Sequence, residues 1–281
     1  MRIHGTRGGE GPPLLLLHGF PQSHVMWAPV ARELAASHTV VATDLRGYGG
    51  SDRPPAGDDH AGYSFRAMAA DQAEVMAELG FDRFAVVGHD RGARVTHRLA
   101  LDHPSRVERL ALLDILPTEY VYAHVDRVVA TAYYHWFFYI QPAPMPERLL
   151  DADPIAYLHS LLGSWGTGLD SHPPEALAEY ERAFADPQAR HAMLEDYRAA
   201  ASVDLEHDAA GELITARTLV LWGARGLVAR NADLQGEDAL AVWRRKAADG
   251  LAEGHEIPDA GHFLVEENLP ATLSALRTFL T

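Results

Sequence analysis

A chain of 281 residues, 47% hydrophobic and 22% charged, has the make-up of a globular protein with one large domain, or one domain carrying an insertion. Its net charge of −15 argues against nucleic acid or an anionic membrane as partner, and any site for a small anion has to be built locally from arginines. The absence of cysteine excludes disulfides, thiolate catalysis and cysteine-ligated zinc.

Short apolar runs at 14–17 (LLLL), 39–43 (TVVAT), 83–88 (RFAVVG), 109–113 (RLALL) and 217–222 (RTLVLW) predict buried parallel strands, with HEIP at 255–258 a weaker one. Helical patterns fall at 26–36, 64–79, 91–101, 238–248 and 264–280. The alternation predicts an α/β fold, a mostly parallel sheet covered by helices on both faces. From about 117 to 205 the rhythm breaks into aromatic- and proline-rich helices and loops without a clear strand. We read 117–205 as a helical cap inserted into a core made of 1–116 and 206–281. Ordinary crossover helices are the alternative, but the span is long for one crossover. The N-terminus shows no basic segment leading into an apolar run, so no signal peptide is expected and the chain reads as cytoplasmic. The most apolar stretch, AYYHWFFYI at 132–140, is too short and too polar to span a bilayer.

Between the strand at 83–88 and the helix at 91–101 lies Gly88-His89-Asp90-Arg91-Gly92. A Gly-x-Nuc-x-Gly corner places a nucleophile on a tight strand-to-helix turn. The bland reading is a βα turn with Asp90 as helix N-cap. A carboxylate is poorly suited to attacking an ester, because the product would be an anhydride. It is well suited to a saturated carbon, where it forms an ordinary alkyl ester that water then cleaves. The second step needs a base and oxyanion donors. The backbone N–H groups of Phe20, in the HGFP loop after the first strand, and of Arg91 are the expected donors, and His18 is expected to order that loop. His262, in a loop before the last helix, is the candidate base. Asp114, ending the strand RLALLD, is the acid that orients it. Asp44 in TDLRGYGGSD is the competing acid, read as part of a structural turn fixed by Arg46 and Asp52. The loop WGARG at 222–226 holds no acid.

These motifs resemble the α/β-hydrolase superfamily and, within it, the fluoroacetate (haloacetate) dehalogenases. The stretches carrying the likeness are HGFPQ, DLRGYGGSDRP, GHDRGARVTHRLALDHP, LLDILPT, AYYHWFFYIQPAP, ADP, SWGTG, EDYRA and AGHF, spread over nearly the whole chain. The resemblance implies Asp90 as nucleophile, His262 as base and Asp114 as its acid. Arg91 and Arg94 would hold a substrate carboxylate, and His135, Trp136 and Tyr197 the leaving halide. It also implies a homodimer. The residues themselves agree. Arg91 and Arg94 are three apart at a helix start, so both can face the corner's mouth, where the alternative is two solvated charges. A ring N–H, an indole N–H and a phenol O–H can stabilise departing fluoride. Tyr133, Phe137, Phe138 and Tyr139 of YYHWFFY read as packing, Trp165 as pocket wall or core, and Arg98 as a surface charge.

The expected reaction is hydrolysis of a short 2-haloacid, with water as the other substrate and neither metal nor cofactor. An epoxide hydrolase shares the aspartate and the HGFP loop, and Tyr133, Tyr134 and Tyr197 could serve it, but the arginine pair then has no task. A non-catalytic ligand receptor on the same fold is the alternative of another class.

Overall fold

The computed structural model describes residues 1–281. Seven strands form one sheet: β1 (Gly5–Gly8), β2 (Pro13–Leu17), β3 (Thr39–Thr43), β4 (Phe84–His89), β5 (Val107–Leu113), β6 (Arg217–Gly223) and β7 (Ala252–Ile257). Their spatial order is β1-β3-β2-β4-β5-β6-β7. Only β1 runs antiparallel to its neighbour. Leu14–Leu17 of β2 lie between Val40–Thr43 and Ala85–Gly88 and are fully buried. Burial on both faces is why the central strands read as continuous apolar runs.

The sequence pattern misses β1. Its residues, Gly-Thr-Arg-Gly, are all exposed, and backbone pairing with β3 holds it without an apolar face. The weak strand at 255–258 is β7, which begins three residues earlier. The helix expected over 264–280 is two, Leu264–Glu267 and Leu269–Leu280. Asn268 breaks it: its side chain accepts the Ala271 N–H, and Pro270 sits in the first turn of the new helix, where no N–H is needed. Arg98 is a correction. It is buried, and its guanidinium donates to Asp102 and Glu212, both at 2.6 Å. No helix is long and apolar enough to cross a membrane.

The chain between β5 and β6 contains helices and no strand of the sheet. Two of its long helices, Pro154–Trp165 and Pro187–Ala200, carry residues that meet the core near the C-terminal ends of β4 and β5. The corner after β4 is tight. A Cβ on Gly92 would run into the carbonyl oxygens of Leu17 and His18, and one on Gly88 into Gly92 and Thr96. Strand and helix therefore approach more closely than any side chain permits. Gly92→Ala is expected to destabilise the fold by about 1–3 kcal/mol through this overpacking, read from the urea midpoint. An unchanged midpoint would mean the corner is looser than described.

Candidate active site

Asp90 sits at φ 47° and ψ −116° and is buried. A non-glycine residue at positive φ is uncommon and strained. Although Asp90 occupies the N-cap position of the helix Arg91–Asp102, its side chain makes no capping bond, which removes the N-cap explanation. Its Oδ1 instead accepts the Phe20 N–H at 2.9 Å. Its Oδ2 lies 3.9 Å from His262 Nε2, beyond hydrogen-bond range. The Arg91 N–H opens the helix and has no acceptor within it, so it is available beside Phe20.

His262 Nδ1–H donates to Asp114 Oδ2 at 2.7 Å, so the neutral ring carries its lone pair on Nε2, toward Asp90. Asp114 in turn accepts the Gly223 N–H at 3.0 Å on Oδ1. The competing acid, Asp44, has its oxygens occupied by His4 Nδ1 at 2.9 Å and His24 Nδ1 at 2.8 Å, with Gly50 N–H at 2.9 Å. His18 orders its loop as expected, donating from Nδ1 to Gly19 O and accepting the Leu45 N–H on Nε2. Arg46 fixes the neighbouring turn through Asp71, and Asp52 ties it by accepting the Gly47 N–H on its carbonyl at 3.0 Å and the Arg2 N–H on Oδ2 at 2.7 Å.

Burial pushes the Asp90 carboxyl up, but His262, His89, Arg94 and Arg91 outweigh it and hold it below the usual carboxylate range. Burial likewise lowers the His262 pKa. The hydrogen bond and charge of Asp114, with Asp90 and Glu267, overcome this and raise it above the ordinary 6.5. His135 is driven the other way, to about 3, chiefly by burial, and stays neutral. Tyr197 is raised well above 10, again chiefly by burial, and stays a protonated phenol. Both can donate a proton in a hydrogen bond near neutral pH.

Arg91 and Arg94 are buried, not solvated. Arg91 donates from Nε to Asp196 Oδ2 at 2.9 Å and from Nη2 to the Asp196 carbonyl at 2.9 Å, while its Nη1 has no partner. Its guanidinium lies 4.2 Å from the Tyr197 ring centroid. Arg94 donates from Nη1 to Leu116 O at 3.0 Å and Thr118 Oγ1 at 2.8 Å, while its Nε has no partner. It lies 4.7 Å over Trp136. His135 Nδ1 is also buried without a partner. Buried polar groups without partners are costly, so these three groups are free to bond a ligand that enters beside Asp90.

A cavity of about 320 Å³ opens here, walled by Asp90, Asp114, His135, Trp136, Trp165 and His262, with Arg225–Leu227 and Arg230 completing it on the core side. Trp165 is thus a wall residue: its ring is 4.4 Å from His135 and 5.8 Å from His262. Arg91, Arg94, Tyr197 and Phe20 do not form this wall. Tyr197 reaches it through edge contacts with His135 at 5.8 Å and Trp136 at 6.2 Å. Two contributors escaped sequence reasoning. Asp196, which anchors Arg91, is the acid preceding Tyr197 in EDYRA. His89, inside the corner motif, donates from Nε2 to the His262 carbonyl at 2.8 Å. Tyr133 packs as expected, stacking in parallel on Trp136 at 5.3 Å, and also lines the cavity.

A family model described as the alpha/beta hydrolase fold matches residues 12–269. The chain belongs to the α/β-hydrolase family. This α/β hydrolase is 48% identical, over 99% of its own length and 90% of the relative's, to a fluoroacetate dehalogenase from a Burkholderia species. It is 32% identical, over 95% of its length and 89% of the relative's, to a soluble epoxide hydrolase from a Corynebacterium strain. Among solved structures, an α/β hydrolase from Nostoc superposes with a TM-score of 0.95 at 54% identity, covering 100% of this chain and 94% of that one. A mutant from Pseudomonas aeruginosa described as an epoxide hydrolase, with bound MFA, superposes at 0.91 and 46% identity, covering 99% and 92%.

Because Asp114 is the largest influence raising His262, and burial alone lowers it, Asp114→Asn is expected to move the histidine's titration downward. Ring NMR of His262 in parent and variant reads this. Identical titration curves would remove Asp114 from its orienting role.

Proposed function

We propose that this α/β hydrolase cleaves the carbon–halogen bond of short 2-haloacids, converting fluoroacetate or chloroacetate to glycolate, halide and a proton. The observation that carries the reading is the set of buried, unpartnered N–H groups on Arg91 and Arg94 beside an ionised Asp90. Guanidinium groups match a carboxylate. An epoxide has no carboxylate to offer them, which is why the identity to the epoxide hydrolase carries less weight than that to the dehalogenase.

In this reading the arginines hold the substrate carboxylate and present the α-carbon to Asp90. Oδ2, the oxygen not engaged by Phe20, attacks in line. The new bond is Oδ2–C, the C–X bond breaks, and halide leaves with the bonding pair toward His135, Trp136 and Tyr197. Removing one such donor typically costs roughly 10²–10³ in rate, by analogy with oxyanion donors. The product is an ester in which Oδ1 is the carbonyl oxygen, already facing the Phe20 N–H. His262 Nε2 takes a proton from water, water attacks Cγ, and negative charge gathers on Oδ1, where Phe20 and Arg91 N–H groups donate. Asp114 stabilises the imidazolium. Collapse expels glycolate, which recovers the proton from His262, and Asp90 ionises again.

Residues 117–205 act in this proposal as a cap over the nucleophile, supplying the halide donors and the Trp165 wall. The family resemblance extends the proposal to a cytoplasmic homodimer.

Ion-selective measurement across fluoro-, chloro- and bromoacetate is expected to show halide release by the parent and none by Asp90→Asn. Diol formed from a terminal epoxide without halide from any haloacetate would favour the epoxide reading. A parent that binds haloacetate and never turns it over would leave a receptor.

A further inference from the structure

The haloacid reading leaves two arginines unused. Arg225 and Arg230, on the loop after β6, help wall the same cavity as Asp90 and His262. Both are exposed. Arg225 is paired with Asp259, itself exposed, while the Arg230 guanidinium has no hydrogen bond or ion pair. Thr131 and Ser164 line the cavity with them. A two-carbon haloacid fills roughly the space of three waters, ~90 Å³, so most of the 320 Å³ stays free once such an acid is held at Asp90. Two guanidinium groups border that same cavity. In a chain of net charge −15, cations at one cavity mouth select an anion there against the background field.

We propose that Arg225 and Arg230 form a second anion subsite for a distal carboxylate on the α-substituent, so that the preferred larger substrates are halogenated dicarboxylates such as 2-chlorosuccinate. This rests on the haloacid reading and names the substrate class within it. The α-carboxylate sits on Arg91 and Arg94, the α-carbon faces Asp90, and the second carboxylate reaches outward to Arg230, with Arg225 turning part of its guanidinium from Asp259. A neutral tail of equal length gains only apolar contact there.

The test compares chloroacetate, 2-chlorobutanoate and 2-chlorosuccinate in the parent and in a double Arg225→Gln, Arg230→Gln variant, following chloride. The parent is expected to show a KM for chlorosuccinate about fivefold or more below that for chlorobutanoate. The double variant should erase that gap, raising KM for chlorosuccinate by a larger factor than for chloroacetate or chlorobutanoate. Equal losses on all three substrates, or chlorosuccinate left intact while chlorobutanoate is hydrolysed, would overturn the subsite. Calorimetry with succinate and butanoate reads binding alone. Tighter succinate binding that the double variant abolishes supports the subsite even if both longer haloacids resist cleavage, and equal affinities in the parent overturn it. A parent that releases no chloride from chloroacetate overturns the hydrolase reading instead, and calorimetry still decides the subsite.

Discussion

The two oxygens of Asp90 have different surroundings, and the chemistry proposed for this protein follows from that difference. Oδ1 is held by the Phe20 N–H, while Oδ2 has only the distant His262 Nε2 before it. A carboxylate with both oxygens engaged would be a structural group. One with a single anchored oxygen keeps a fixed orientation and a free attacking atom. The positive φ of Asp90 and the glycine-lined approach of β4 to its helix aim that atom upward into the cavity. Asp114, also at positive φ, repeats the device one strand over to reach His262. Strain of this kind, about 1–3 kcal/mol per residue, persists only where surrounding packing enforces it.

The second constraint is electrostatic. Arg91 and Asp196 form a fully buried pair, and Tyr48 donates to the same carboxylate at 2.7 Å. Asp196 belongs to the helices between β5 and β6 and Arg91 to the corner, so the pair ties the two parts together beside Asp90. Removing one partner of a buried pair typically costs about 3–5 kcal/mol, because the other charge is left without compensation. The pair therefore has a positional consequence: it fixes the guanidinium so that Nη1, and not the whole fork, is left without a partner. The same helical stretch also contributes the Trp165 carbonyl, which accepts the His262 N–H at 3.1 Å. Asp90 and His262 are thus both positioned across the same seam.

Much of this was legible in the sequence, for identifiable reasons. The central strands were readable because burial on both faces demands unbroken apolar runs, as in Leu14–Leu17. β1 was not, because backbone pairing alone leaves no side-chain pattern. Asp90, Asp114 and His262 were readable from their places after strands and before the last helix. The partners that tune them were not. Asp196 lies 105 residues from Arg91, and no periodicity links two charges so far apart. The burial of Arg98 escaped for the same reason: Asp102 is a near neighbour in sequence, but its other partner, Glu212, is 114 residues away. Arg225 and Arg230 sit on a loop whose path is set by neighbouring β7 and the His262 loop, through bonds such as Arg225 N–H to Ala260 O at 2.8 Å.

The central claim is that the carboxylate at position 90 becomes an ester before water acts. Excess protein mixed with limiting haloacetate in ¹⁸O-water, followed by mass analysis of the peptide bearing Asp90, tests it directly. The account predicts that the first turnover places the heavy oxygen in the Asp90 carboxyl while the glycolate released carries ordinary oxygen. Heavy oxygen in that first glycolate, with an unlabelled peptide, would contradict it.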